Sequence, residues 1–218
     1  IGDEYLKLDD DGRDNTIVLL GSNKDREFVN DHIRDGLKEQ GVIFGDEVRS
    51  AILQSKGLTS VEKQHDNNYV IGDIVRFNKA YRSVGIKRFD YLTVIGIDQE
   101  KQELILDKGG KEVRWSPTGS ARSKGSALEV FEQDGRVLSA GDYIRWTQNR
   151  KNLDIYNTET AKVLKTRGHI AVIELKNKKV VELDLRESIN SHWDYAWSST
   201  VYAAQGKKAR NVIAQLEG

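Results

Sequence analysis

The chain has 218 residues, 38% hydrophobic and 31% charged, which suits one to three small folded domains and not a disordered segment. Its 34 Lys and Arg are matched by 34 Asp and Glu, so composition gives no global support for nucleic-acid binding and leaves only a local basic groove. Cys is absent, which excludes disulfides, thiolate metal sites and cysteine nucleophiles together and fits a reducing cytosol. No apolar run approaches the roughly 18 residues that span a bilayer, and no secretory pattern opens the chain. The start at Ile1 and the lack of Met lead us to expect a piece of a longer protein.

Residues 1–15 are acidic and polar and read as a lead-in or loop. Thr16 to Leu20 is a short apolar run suited to a buried strand. Gly21-Ser22-Asn23 supplies turn and capping chemistry, and Lys24 to Gln40 turns helical, with Val29, Ile33 and Leu37 at four-residue spacing and Phe28 widening the stripe. Gly41 is a helix stop. Val48, Ile52 and Leu53 suggest a short helix, and Ser60 to Asn68 a polar connector.

From Tyr69 short β-rich runs take over, and an internal repeat emerges. Gly72-Asp73-Ile74-Val75-Arg76-Phe77 matches Gly141-Asp142-Tyr143-Ile144-Arg145-Trp146. A polar stretch, a second strand (92–97 and 161–165) and a hairpin (103–115 and 170–185) follow in each copy. Side chains alternate along a strand, so Val75 and Phe77, like Ile144 and Trp146, face a core while Arg76 and Arg145 face away. Each Arg either pairs with a carboxylate on the module's surface or approaches a nucleic-acid backbone. Asp194 to Gly206 reads as a helix ending in a Gly turn, with Trp193 and Trp197 on one face, and Asn211 to Leu216 as a final strand. The expected fold class is α+β: tandem small β-barrel-like modules inserted in a partial α/β lobe whose two ends pack together. The divisions are 1–60, 61–130, 131–189 and 190–218.

Several chemistries find no footing. No G-x-x-x-x-G-K-[ST] phosphate loop occurs, and Asp46-Glu47 after Val42-Ile43-Phe44 reads as a turn and not as a magnesium pair. His32, His65, His169 and His192 lack metal-site spacing, and no nucleophile elbow is present. Lys79, Tyr81, Arg82, Lys87 and Arg88 mix cations with an aromatic ring on one loop, which suits phosphates and stacked bases or is an ordinary solvated loop. Arg114-Trp115 and Arg122-Ser123-Lys124 add charge.

Thr200-Val201-Tyr202-Ala203-Ala204-Gln205-Gly206, preceded by Asp194-Tyr195-Ala196, resembles the T-x-H-x-x-Q-G motif of RecD-like helicases. The Gly-Asp-x-apolar-Arg-aromatic strands resemble those flanking that family's 2B subdomain, and Arg26, Asn30, Ile33 and Arg34 resemble the helix opening its second core (2A) domain. The doubled β-module resembles the TraI class of conjugative relaxases. Tyr202 replaces the motif His, Lys207-Lys208 replace the small residues after Gln-Gly, and the following Ala-x-Ser-Arg motif would lie beyond Gly218. The resemblance implies a non-catalytic 2B/2B-like segment, with ATP and magnesium used only by the parent protein. It implies single-stranded DNA as ligand, with Thr200, Tyr202, Gln205, Lys207 and Lys208 among the contacts, Gln205 and Gly206 near nucleotide, and no metal ligands. It further implies a translocation signal recruited to a type IV secretion coupling protein, a monomer without membrane insertion, and a bacterial cytoplasmic location with export to a recipient cell. The alternatives are a fragment of an active helicase lacking its phosphate-loop domain and a protein-interaction β-module without a DNA role.

Overall fold

The computed structural model describes residues 1–118, 127–206 and 208–215. Two short helices, α1 (Gly2–Leu6) and α2 (Asp10–Asp14), occupy the stretch expected to be a loop. Asp9 caps α2 by accepting from the Gly12 N–H at 2.8 Å, which is why an acidic segment turns helical here. Strand β1 (Thr16–Leu20) and helix α3 (Asn23–Glu39) follow, the latter capped by Ser22, whose hydroxyl accepts from Asp25 N–H at 3.1 Å. Beyond them run β2 (Phe44–Ser55), β3 (Ile74–Phe77), β4 (Tyr91–Asp98), β5 (Glu103–Asp107), β6 (Glu112–Trp115) and β7 (Leu128–Ala140). Then come β8 (Tyr143–Trp146), β9 (Thr160–Arg167), β10 (Ile170–Leu175), β11 (Val180–Asp184), β12 (Trp193–Tyr195), β13 (Ser198–Thr200), α4 (Val201–Ala204) and β14 (Asn211–Gln215). No described helix is long and apolar enough to cross a membrane.

The chain divides into two compact units, residues 1–50 with 136–218, and residues 51–135. In the first, β1 lies between β13 and β14, parallel to both, so the two ends of the chain share one small α/β sheet. Helix α3 packs on that sheet through a face that keeps the expected Ile33 and Leu37 but not Phe28. Phe28 is exposed and Val29 half-buried, whereas Arg26, Asn30, Ile33, Arg34 and Leu37 are buried. The polar members are satisfied at long range. Asn30 accepts from the Ser198 N–H (2.8 Å) and hydroxyl (2.9 Å), and Arg26 pairs with Asp194 at 2.6 Å.

Each copy of the repeat is an antiparallel meander, β3-β4-β5-β6 in the second unit and β8-β9-β10-β11 in the first. The sheets are open, with no closing pair among the described residues, so the expected barrels are corrected to open meanders. The backbone hydrogen bonds around the first strand correspond between the two copies. Gly72 and Gly141 N–H donate to Val94 and Val163 carbonyls, both at 2.8 Å, and the N–H of Val94 and Val163 return to Asp73 and Asp142 carbonyls, again at 2.8 Å. Both glycines have positive φ (99° and 93°), which the turn into the strand requires. As expected, Val75, Phe77, Ile144 and Trp146 are all buried.

The correspondence reaches a fifth strand that the sequence reading missed. The start of β7 pairs with β3 as β12 pairs with β8: Phe77 faces Leu128, Arg76 faces Glu129, Trp146 faces Trp193, and Arg145 faces Asp194. The helix expected from Asp194 to Gly206 is therefore two strands and a four-residue helix. Trp193, Tyr195 and Trp197 form a row of tilted rings at 5.9 and 5.1 Å instead of a helical face. Residues 48–53 are likewise part of β2 and not helical, because Val48, Ser50 and Ile52 alternate inward.

Candidate nucleic-acid interface

The Arg of each repeat strand is taken by a carboxylate on the adjoining strand. Arg76 Nη1 bonds Glu129 at 2.9 Å, and Arg145 lies 3.8 Å from Asp194, which it shares with Arg26. Burial and the nearby Arg26 lower the pKa of Arg145, opposed by Asp194. Of the two readings of this Arg, the structure supports carboxylate pairing. The Asp of each repeat is also structural. Asp142 takes a two-point contact from Arg34 (3.0 and 3.1 Å), and Asp73 takes the Lys56 ammonium at 2.7 Å.

The loop after β3 differs in kind. Phe77 anchors its start in the core, and Asn78 N–H donates to the Ala127 carbonyl at 2.8 Å. A bridge between Tyr81 and Ile86 closes a 3-10 turn at Arg82–Val84, and Gly85 adopts φ 72°. Lys87 N–H donates to Asp90 at 2.8 Å, pinning the return. Burial works against ionisation of Asp90, but the bonds from Lys108 and the Lys87 N–H outweigh it and hold the carboxyl below its usual range. The frame leaves Lys79, Arg82, Lys87 and Arg88 exposed on one loop. Phe89, at φ 70°, presents a ring that is 46% exposed, with the Arg76 and Arg88 guanidinium carbons 4.8 and 4.5 Å from its centroid. An exposed ring flanked by cations offers a base a stacking face next to charges for its phosphates. Tyr81, singled out from sequence, instead packs edge-on against Phe77 and Trp115, at 5.6 Å from each. Phe89 was missed; it corresponds in the repeat to Thr158 of the second copy, where the backbone has nearly the same positive φ (72°).

The residues of the helicase-like motif form a separate set. Thr200 caps α4, its hydroxyl accepting from Ala203 N–H at 3.3 Å. Tyr202 is 88% exposed, Gln205 and Lys208 are exposed, and Gly206 turns the chain at φ 83°. Lys207 lies outside the described residues, as do Arg122, Ser123 and Lys124. Among the described residues no group of three or more His, Asp or Glu is placed to hold a metal ion.

No family model matches the chain, and no curated protein matches it. Among solved structures, a chain from a structure of two coordinating Pif1 helicases unwinding forked duplex DNA is similar over the whole of this chain, at 10% identity and a TM-score of 0.44. The match spans 40% of that helicase chain. A likeness of that degree assigns neither family nor activity.

Proposed function

We propose that the chain is a non-catalytic, single-stranded-DNA-binding segment of a conjugative relaxase of the helicase-bearing class, and that it takes part in recruiting that protein to a type IV secretion coupling protein. The observation that supports DNA binding is the loop 79–89, which carries four exposed cations and an exposed aromatic ring with the Arg76 and Arg88 guanidinium groups against it. Such a surface holds a flexible strand without reading its sequence, because every base has a face to stack and every nucleotide a phosphate. The relaxase reading is supported by the order of motifs from Arg26 to Gly206. In this reading nucleotide chemistry belongs to other parts of the parent protein, since no phosphate loop is present.

A fluorescein-labelled oligothymidylate titrated at low and moderate salt tests the DNA half. Saturable binding that weakens with salt is expected, and the charge reversals Arg82→Glu, Lys87→Glu and Arg88→Glu should each lower the salt slope by roughly one. Phe89→Ala should weaken binding by about 1–3 kcal/mol, the range for one stacked base. Absence of binding at low salt would leave the protein-interaction reading in its place.

A further inference from the structure

The hairpin between β5 and β6 reaches back to the loop that carries the exposed cations. Gly109 and Gly110 both take positive φ (63° and 86°), the two-residue turn that joins twisted antiparallel strands, and Asp107 fixes it by accepting from the Gly110 N–H at 2.7 Å. Lys108, the residue before the turn, donates its N–H to the Lys111 carbonyl at 2.8 Å, so its backbone is held. Its ammonium bonds two groups on the loop: the Gly85 carbonyl and the Asp90 carboxylate, the latter at 2.7 Å. Gly85 ends the 3-10 turn and Asp90 takes the Lys87 N–H at the return, so one cation spans the segment that carries Lys87, Arg88 and Phe89.

The second copy makes the same turn without such a hold. Leu106 faces Val94 as Ile173 faces Val163, so the residue in the place of Lys108 is Leu175, which is buried. There Glu159 accepts from the Tyr156 N–H at 3.0 Å, as Asp90 does from Lys87, and the turn closes with no ammonium across it. The fold therefore does not require the cation. An ion pair near the surface adds little to stability, yet this one immobilises a long side chain on the one loop that is basic. We propose that Lys108 is a positioning residue of the 79–89 surface: it fixes the loop's shape for a single strand and takes no phosphate itself. Its role toward DNA rests on the proposed DNA binding, whereas its hold on the loop exists in the free chain.

Lys108→Met in the whole chain is the test. Without DNA, amide hydrogen exchange at Gly85, Ile86 and Lys87 should quicken at least tenfold while β5 exchanges as before, and the Asp90 carboxyl, freed of the cation, should titrate higher. With labelled oligothymidylate, affinity should fall at least fivefold at an unchanged salt slope, because the ammonium is already spent on Gly85 and Asp90. Lys108→Arg, which still offers donors to both acceptors, should restore most of the affinity. Lys108→Met combined with Asp90→Asn, which restores the net charge, should not. Unchanged exchange at 85–87, a salt slope lowered by about one, or full recovery in the double variant overturns the proposal. If oligothymidylate fails to bind the unaltered chain, the DNA reading and the role of Lys108 in it fall together, and the exchange measurement alone shows whether Lys108 holds the loop.

Discussion

After its opening strand the first copy runs Lys79, Arg82, Lys87 and Arg88 around one 3-10 turn, with Asp90 occupied by Lys108. The second copy makes the same turn at Lys151–Leu153 with Arg150 and Lys151 set against Asp154 and Glu159, and Arg150 is spent on Asn190. Phe89 in one is Thr158 in the other, at nearly the same positive φ. The backbone is thus preserved while the charge on it has diverged: both loops expose an aromatic ring, Phe89 and Tyr156, but one loop is basic and the other close to neutral. Duplication separates what the fold requires, which both copies keep, from what only one copy carries and is therefore free for function.

The buried aspartates break this comparison most sharply. Asp142→Ala would strand Arg34, whose side chain is 7% exposed, and should destabilise the first unit by about 3–5 kcal/mol in denaturant melts. Asp73→Ala should cost less, about 1–3 kcal/mol, because Lys56 is 19% exposed and its ammonium can turn to water. Equal losses would show that the two ion pairs do the same work. The glycines rank next. Gly72→Ala and Gly141→Ala both meet the left-handed φ penalty of about 1–2 kcal/mol. Gly141→Ala must also push away the Val42 carbonyl and should lose about 1–3 kcal/mol more. The smallest effect is in acid. Hydrogen bonds from the Arg186 side chain and backbone lower the Asp184 pKa to about 2. A depressed carboxylate stabilises above its unfolded value and loses that contribution as pH falls through the folded one, here between about 4 and 2. Carboxyl NMR titration should place the midpoint near 2 and return it toward 3.8 in Arg186→Ala.

The repeat was legible because its first strand carries Gly, Asp, Arg and an aromatic at fixed offsets, each with a local reason to be there. The fifth strand was not, since Leu128-Glu129-Val130 and Trp193-Asp194-Tyr195 share only an apolar-acid-apolar pattern and pair with strands far away in sequence. The same cause hid part of the buried face of α3. Periodicity counts apolar residues and found Ile33 and Leu37, but the rest of this face is Arg26, Asn30 and Arg34, whose partners lie more than 100 residues on. In β2, Ser50 interrupts the apolar alternation, so Val48, Ile52 and Leu53 imitate a helical spacing. At the candidate interface the cations were visible in sequence. The orientation of the rings was not: only three-dimensional packing turns Tyr81 onto the core and Phe89 out to solvent.

Amide chemical-shift mapping of the whole chain during titration with a short oligothymidylate tests most directly that function resides in one copy alone. The account predicts concentrated shifts at residues 79–89 and little change at 148–158. Equal shifts in both loops, or shifts confined to the second, would contradict it.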